Sequence, residues 1–280
     1  MQVISQHKCF GGIVTYYSHI SSETQCEMRF SAFMPPASVK TRVPVLTYLS
    51  GLTCTEENFT VKAGAYRKAS ELGIAIIAPD TSPRGDGVPT GDGIGFGAGF
   101  YVDATQAPWN KNYRMYSYIT KELYLLIGTN FPVDNHRHGI FGHSMGGHGA
   151  LTLYLKNPDQ YKSVSALAPV CSPINAPFGQ RAFAAYLGDN MPLWESYDAT
   201  KLLIALGDGS HRSEILVDQG LEDHPLSRLN PDLLKKACAQ VNQKLNLREH
   251  AGYDHGYFFV QSFIDDHLSH HARLLSASFS

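Results

Sequence analysis

The chain has no run of about 18 apolar residues and no short apolar stretch behind its first residues, so neither a membrane span nor a secretory leader is expected. It also lacks a surplus of either charge: 23 Lys and Arg stand against 25 Asp and Glu, a net charge of −2. That balance excludes a general attraction to nucleic acid or to a membrane surface, so an acidic substrate has to be met by local cations. Disulfide and zinc-finger patterns are missing too. Cys9, Cys26, Cys54, Cys171 and Cys238 are odd in number, scattered and without a Cys-x-x-Cys pair, as the reduced thiols of a cytoplasmic protein are. Asn58-Phe59-Thr60 then reads as the start of a helix, not as a glycan site. No fitting carboxylate or cysteine accompanies His136 and His138, or His267, His270 and His271, which read as solvated on a terminal helix. Gly93-x-Gly95-x-x-Ala98 lacks the flanking strand and helix of a dinucleotide fingerprint. Neither a metal nor a cofactor is expected.

What is present is a 43% hydrophobic fraction and a regular succession of strand and helix patterns. Residues 12–19 and 26–33 alternate in part and end at Pro35-Pro36, as an antiparallel hairpin does when it begins a sheet. Residues 43–50, 74–78 and 163–170 are apolar without alternation. Strands buried on both faces look like this, and helices must cover those faces. Helical patterns occupy 58–72, closed by Gly73, then 112–129, 151–156, 181–187, 197–206, 231–245 behind an Asn230 N-cap, and 257–271. Short strands are expected around 214–218 and 247–250. The fold class is therefore α/β: one doubly wound domain over 1–280, with a mostly parallel central sheet, an N-terminal antiparallel hairpin and helices on both faces. The Gly-rich stretch 80–99 fits neither element and reads as a loop beside a substrate site.

Gly142-His143-Ser144-Met145-Gly146 completes a Gly-x-Ser-x-Gly pattern between a predicted strand and a predicted helix. A serine on so sharp a turn is pushed out of the fold with its hydroxyl exposed, which makes Ser144 a candidate nucleophile. The N–H of Met145, at the start of the helix, would point at a developing oxyanion. A serine hydroxyl needs a base, and the base needs a carboxylate; in α/β-hydrolases they follow in the order Ser, then Asp or Glu, then His. His255 is the candidate base, because Gly252-Tyr253-Asp254-His255-Gly256 forms a turn between the last strand and the last helix. His148 lies in the helix after the serine and should point away, and Asp254 should project the wrong way. For the acid the sequence offers Asp218, Glu222 and Asp223. Position favours Asp223, in the loop, over Asp218, which ends a strand and reads as structural. The second oxyanion donor should come from the loop Ser50-Gly51-Leu52-Thr53-Cys54-Thr55, with Leu52 N–H as candidate and Gly51 allowing close approach. Cys54, two residues on, is either a ligand-contacting thiol or a small buried residue.

Six stretches now carry a resemblance: Ser50 to Thr55, Ala78-Pro79-Asp80-Thr81-Ser82-Pro83-Arg84-Gly85, Gly97-Ala98-Gly99-Phe100-Tyr101-Val102-Asp103-Ala104-Thr105, Phe141 to Leu151, Asp218-Gln219-Gly220 and Gly252-Tyr253-Asp254-His255. Along nearly its whole length the chain resembles the S-formylglutathione hydrolase, or esterase D, family. The resemblance implies a cytosolic homodimeric α/β-hydrolase that releases formate and glutathione from S-formylglutathione in formaldehyde detoxification and also cleaves small esters. It implies the triad Ser144, Asp223 and His255, oxyanion donors Leu52 and Met145, and Cys54 beside a pocket sensitive to thiol reagents. Two segments depart from the family: Gly91 to Phe96 where it has a tryptophan-containing acidic segment, and Pro177-Phe178-Gly179 where it has Pro-Trp-Gly. Both fall near the acyl pocket or its entrance and bear on substrate preference. The partner is thus a small thioester or ester, not nucleic acid or a membrane. The alternatives are a general short-chain carboxylesterase with the same triad, an acyltransferase of related fold, and a non-catalytic binding protein on the same scaffold. For glutathione's two carboxylates the sequence offers Lys62, Arg84 and Arg181 without ranking them.

Overall fold

The computed structural model describes residues 1–224 and 226–277. Nine strands form one sheet in the order β1-β2-β3-β5-β4-β6-β7-β8-β9. The strands β1 (Gln2–Cys9), β2 (Gly12–Ile20) and β3 (Glu27–Met34) form an antiparallel meander, and β3 pairs antiparallel with β5 (Ala75–Pro79). From β5 onward through β4 (Val43–Leu49), β6 (Val133–His143), β7 (Ser163–Leu167), β8 (Ile215–Gly220) and β9 (Leu245–His250) every pairing is parallel. The chain leaves β4 towards β5 on one side and returns to β6 on the other. This reversal opens a crevice beyond the carboxyl ends of β4 and β6, where open sheets of this kind hold their ligands.

The central strands lack alternation because successive side chains enter two different cores. Val45 and Leu49 join one cluster and Leu46 and Tyr48 the other; Ala75 and Ile77 oppose Ile76 and Ala78 in the same way. The first core is closed by residues of α3 (Met115–Ser117), α4 (Tyr124–Asn130), α5 (Met145–Lys156), α6 (Pro177–Leu187), α8 (Ala199–Leu206) and α10 (Pro231–Gln240). The second is closed by α1 (Glu56–Lys62), α2 (Tyr66–Leu72) and α11 (Tyr257–Ala277). Two short helices, α7 (Met191–Glu195) and α9 (Leu226–Leu229), complete the set. In the second core the Tyr48 and Phe59 rings stack at 3.8 Å with Phe141 edge-on to Tyr48 at 4.9 Å, so truncating Phe59 to alanine costs about 3–5 kcal/mol.

The α/β class, the N-terminal antiparallel pairing and the helices on both faces match the sequence reading, but several elements differ. The hairpin is preceded by β1, a largely exposed edge strand without a readable pattern. The helix expected over 58–72 is two helices, broken at Gly64, although Gly73 does close the second in a left-handed conformation. The helix expected over 112–129 begins at Met115 and passes through a π turn (Tyr118–Leu123) before α4. Asn230 precedes α10 with φ 59° and does not cap it; its side-chain amide donates instead to the carbonyls of Arg228 and Asn175. Residues 80–99 hold no helix or strand, only isolated bridges.

The largest correction concerns the histidines of α11. His267, His270 and His271 are buried, not solvated. His267 joins Asp218 through Nε2 at 3.0 Å and Ser165 through Nδ1 at 2.8 Å, His271 spans Ser163 and Ser165, and His270 donates to the carbonyl of Val164. Polar side chains of β7 and β8 thus receive the helix. Buried polar groups hold such positions only when paired, and here each of the three rings is.

Candidate active site

Ser144 follows β6 with φ 58° and ψ −119°, a backbone state that costs a non-glycine residue about 1–3 kcal/mol. The surroundings hold it there. Its N–H donates to Leu167 at 2.9 Å, and its carbonyl accepts from His148 and Val170. Gly146 lets α5 lie against β4, since a Cβ there would collide with the carbonyl of Leu49. Gly51 does the same for the loop after β4: a Cβ on it would stand 3.1 Å from Cβ of Ser144.

His255, in the turn between β9 and α11, places Nε2 2.9 Å from Oγ of Ser144 and Nδ1 2.6 Å from Oδ2 of Asp223. Asp223 is buried in the loop after β8. The structure therefore brings Ser144, His255 and Asp223 into one hydrogen-bonded line from the ends of β6, β9 and β8. Asp218 is elsewhere, engaged by Arg248, His250 and His267. Burial alone would raise its pKa, but the hydrogen bonds from His267 and Arg248 and the proximity of His267 hold the carboxyl well below the usual range. Asp254 turns away and accepts from the Gly256 N–H, and His148 bonds the carbonyl of Phe100.

A cavity of about 280 Å³ opens onto Ser144 and His255. Gly51, Leu52 and Cys54 form one wall, Phe178 and Leu229 another. Met145 starts α5, so its N–H has no acceptor within the helix. The loop after β4 is braced from behind. Thr53 N–H donates to Gly97 in the Gly-rich segment, and the carbonyl of Cys54 accepts from Thr81 and Arg84, the latter ion-paired to Asp80 at 2.8 Å. The 80–99 segment thus supports the site's main chain. Burial raises the Cys54 thiol pKa, with Tyr257 and Lys62 opposing.

Three nearby residues were not legible in the sequence. Gln219 donates from Nε2 to Oδ2 of Asp223 at 3.0 Å. His143 packs its ring 4.7 Å from that of His255, and burial first, then the neighbouring His255, lowers its pKa to about 3, so it faces His255 uncharged. Arg228 lines the cavity. Its approach to Ser144 is a product of tertiary folding with no local motif behind it. Of the three cations considered from sequence, Arg84 is committed to Asp80, Arg181 reaches Asp92 at an exposed site, and Lys62 lies over the ring of Tyr257.

A strained serine at the switch point of a mostly parallel sheet, hydrogen-bonded to a histidine delivered after the last strand, defines the class: the protein is an α/β-hydrolase. Residues 21–270 match the family model described as "Putative esterase". The sequence is 49% identical over 282 residues, 99% of each chain, to the S-formylglutathione hydrolase of Rattus norvegicus. It is 52% identical over 279 residues, 97% of each chain, to that of Arabidopsis thaliana. A solved S-formylglutathione hydrolase from Agrobacterium tumefaciens aligns with a TM-score of 0.95 at 46% identity, over 98% of this chain and 100% of that one. The chain belongs to the S-formylglutathione hydrolase family of esterases. No described helix is long and apolar enough to cross a membrane.

Proposed function

We propose that the protein hydrolyses S-formylglutathione to formate and glutathione, with Ser144 as nucleophile, His255 as general base and acid, and Asp223 as the carboxylate that orients the base. The observation that carries the residue assignment is the line Ser144 Oγ, His255 Nε2 at 2.9 Å and His255 Nδ1, Asp223 Oδ2 at 2.6 Å, opening onto the cavity. The substrate follows from the relatives.

His255 takes the hydroxyl proton as Ser144 Oγ attacks the thioester carbonyl. The N–H groups of Leu52 and Met145 stabilise the oxyanion, a contribution worth about 3–4 kcal/mol per donor in comparable sites. The carbon–sulfur bond breaks, and the sulfur leaves with the proton from His255. Water then gives a proton to His255 and attacks the formyl-serine; the oxyanion collapses, formate departs and Ser144 recovers its proton. The cavity volume suits a small acyl group. Cys54 contributes wall, and its raised pKa keeps the thiol protonated near neutral pH. The same reading takes residues 1–280 as one domain and the molecule as a cytoplasmic homodimer, which limited proteolysis and light scattering would test.

The deciding experiment compares kcat/KM for S-formylglutathione and for 4-nitrophenyl acetate, in the unaltered protein and in Ser144→Ala. A strong preference for the thioester, with both activities lost by several orders of magnitude in a folded Ser144→Ala variant, supports the proposal. Retained turnover in that variant removes Ser144 from the mechanism, and a preference for the aryl ester makes the protein a general carboxylesterase.

A further inference from the structure

The cavity at Ser144 lies at the small end of the range for small-molecule sites. Small-molecule sites commonly measure about 300–1,000 Å³, and this one, at about 280 Å³, has to serve a thioester whose leaving group is a tripeptide. Surface beyond this cavity is therefore a candidate for holding the tripeptide. A second depression of about 570 Å³ is lined by Val61, Lys62, Tyr257, Phe258 and Gln261. Tyr257 joins the two: it follows His255 by two residues, its ring stands 5.8 Å from that of His143, and its phenol interacts with the Cys54 thiol on the cavity wall.

Two features of this groove suit a peptide ligand. Phe258 is 85% exposed and Val61 74% exposed, side by side with a cation, although a buried position is the usual fate of such side chains. The charges also match. Glutathione carries two carboxylates, and the two depressions together present two cations, Arg228 on the cavity and Lys62 in the groove. Neither has an ion-pair partner among the described residues, whereas Arg84 and Arg181 both do.

We propose that the groove of Lys62, Tyr257 and Phe258 is the subsite for the peptide part of the leaving thiol, with Arg228 and Lys62 each receiving one carboxylate. The proposal rests on the S-formylglutathione reading and adds to it the residues that select glutathione. Arg228 offers a planar fork to its carboxylate, and Lys62 a point charge over an aromatic floor. Phe258 and Val61 cover the peptide backbone between them.

The test uses Arg228→Gln and Lys62→Gln in the full-length protein, with S-formylglutathione and with N,S-diacetylcysteamine, a thioester that has no carboxylate. Each substitution should lower kcat/KM for S-formylglutathione about fivefold to tenfold, as expected for one solvent-accessible charge-assisted contact, chiefly through KM. The carboxylate-free thioester should lose less than about twofold, and Arg228→Lys should recover part of the loss by restoring charge without the fork. Equal losses on both thioesters, or no loss on either, would overturn the subsite. If the unaltered protein already fails to prefer S-formylglutathione over the carboxylate-free thioester, the substrate assignment fails with it. A preference that neither substitution reduces overturns the subsite alone.

Discussion

Gln219 and His255 share one oxygen atom: Oδ2 of Asp223 accepts from Nε2 of Gln219 at 3.0 Å and faces Nδ1 of His255 at 2.6 Å. The amide also donates to the carbonyl of Gly220, so the carboxylate is pinned to the end of β8 while it orients the imidazole. Replacing Gln219 by methionine keeps the volume and removes the donor. We expect kcat to fall about tenfold with KM little changed, as for partners that orient a functional group without touching substrate. Equal kcat values in the two proteins would show that Asp223 needs no such support.

The backbone state of Ser144 sets up an opposition between stability and catalysis. Ser144→Gly removes strain of about 1–3 kcal/mol against a glycine entropy cost of about 0.5–1 kcal/mol, so the variant should be inactive and melt about 2–4 °C higher. Calorimetry of the two proteins checks this; a lower melting temperature would mean that the turn carries no strain.

Acid should destabilise the protein well above the carboxylate range. Burial pushes His138 and His143 down to about 3 and His148 to about 4. The unfolded chain binds protons on these rings below pH 6.5 and the folded chain does not. Stability is therefore fully present above about 6.5 and is lost as pH falls towards 4, by about 1.4 kcal/mol per pH unit for each ring. Urea midpoints measured at pH 7.5, 6 and 5 should fall in that order, and constant midpoints would contradict the neutral buried rings.

Because burial raises its pKa, the Cys54 thiol should react slowly with iodoacetamide at pH 7 and much faster above pH 9. Alkylation would fill the cavity wall and stop turnover. Cys54→Ser should retain activity within about twofold and resist the reagent, since no step of the reaction uses the sulfur. Inhibition that persists in the variant would assign the sensitivity to another thiol.

Legibility in the sequence followed the range of each interaction. Gly142 to Gly146 sits within one turn, and the double-faced strands at Val45 to Leu49 announce themselves by having no alternation. The order of Ser144, Asp223 and His255 could be read because each lies just beyond a strand. The burial of the α11 histidines is not legible because their partners Asp218, Ser163 and Ser165 lie 49 to 108 residues away, and a helix face that looks polar by sequence meets a polar patch of sheet. Gln219 carries no readable role in its motif, since its contact with Asp223 depends on how the loop after β8 folds back. β1 escaped because an exposed edge strand carries no burial pattern.

The separation of 111 positions between Ser144 and His255 also bears on synthesis. A growing chain that has already made its serine elbow has no base to activate it until β7, β8 and β9 have been added and the sheet has closed around them. On the proposed mechanism Ser144 is thus chemically idle through a large part of translation, and a nascent chain would not acylate itself on passing thioesters before the fold that deacylates it exists.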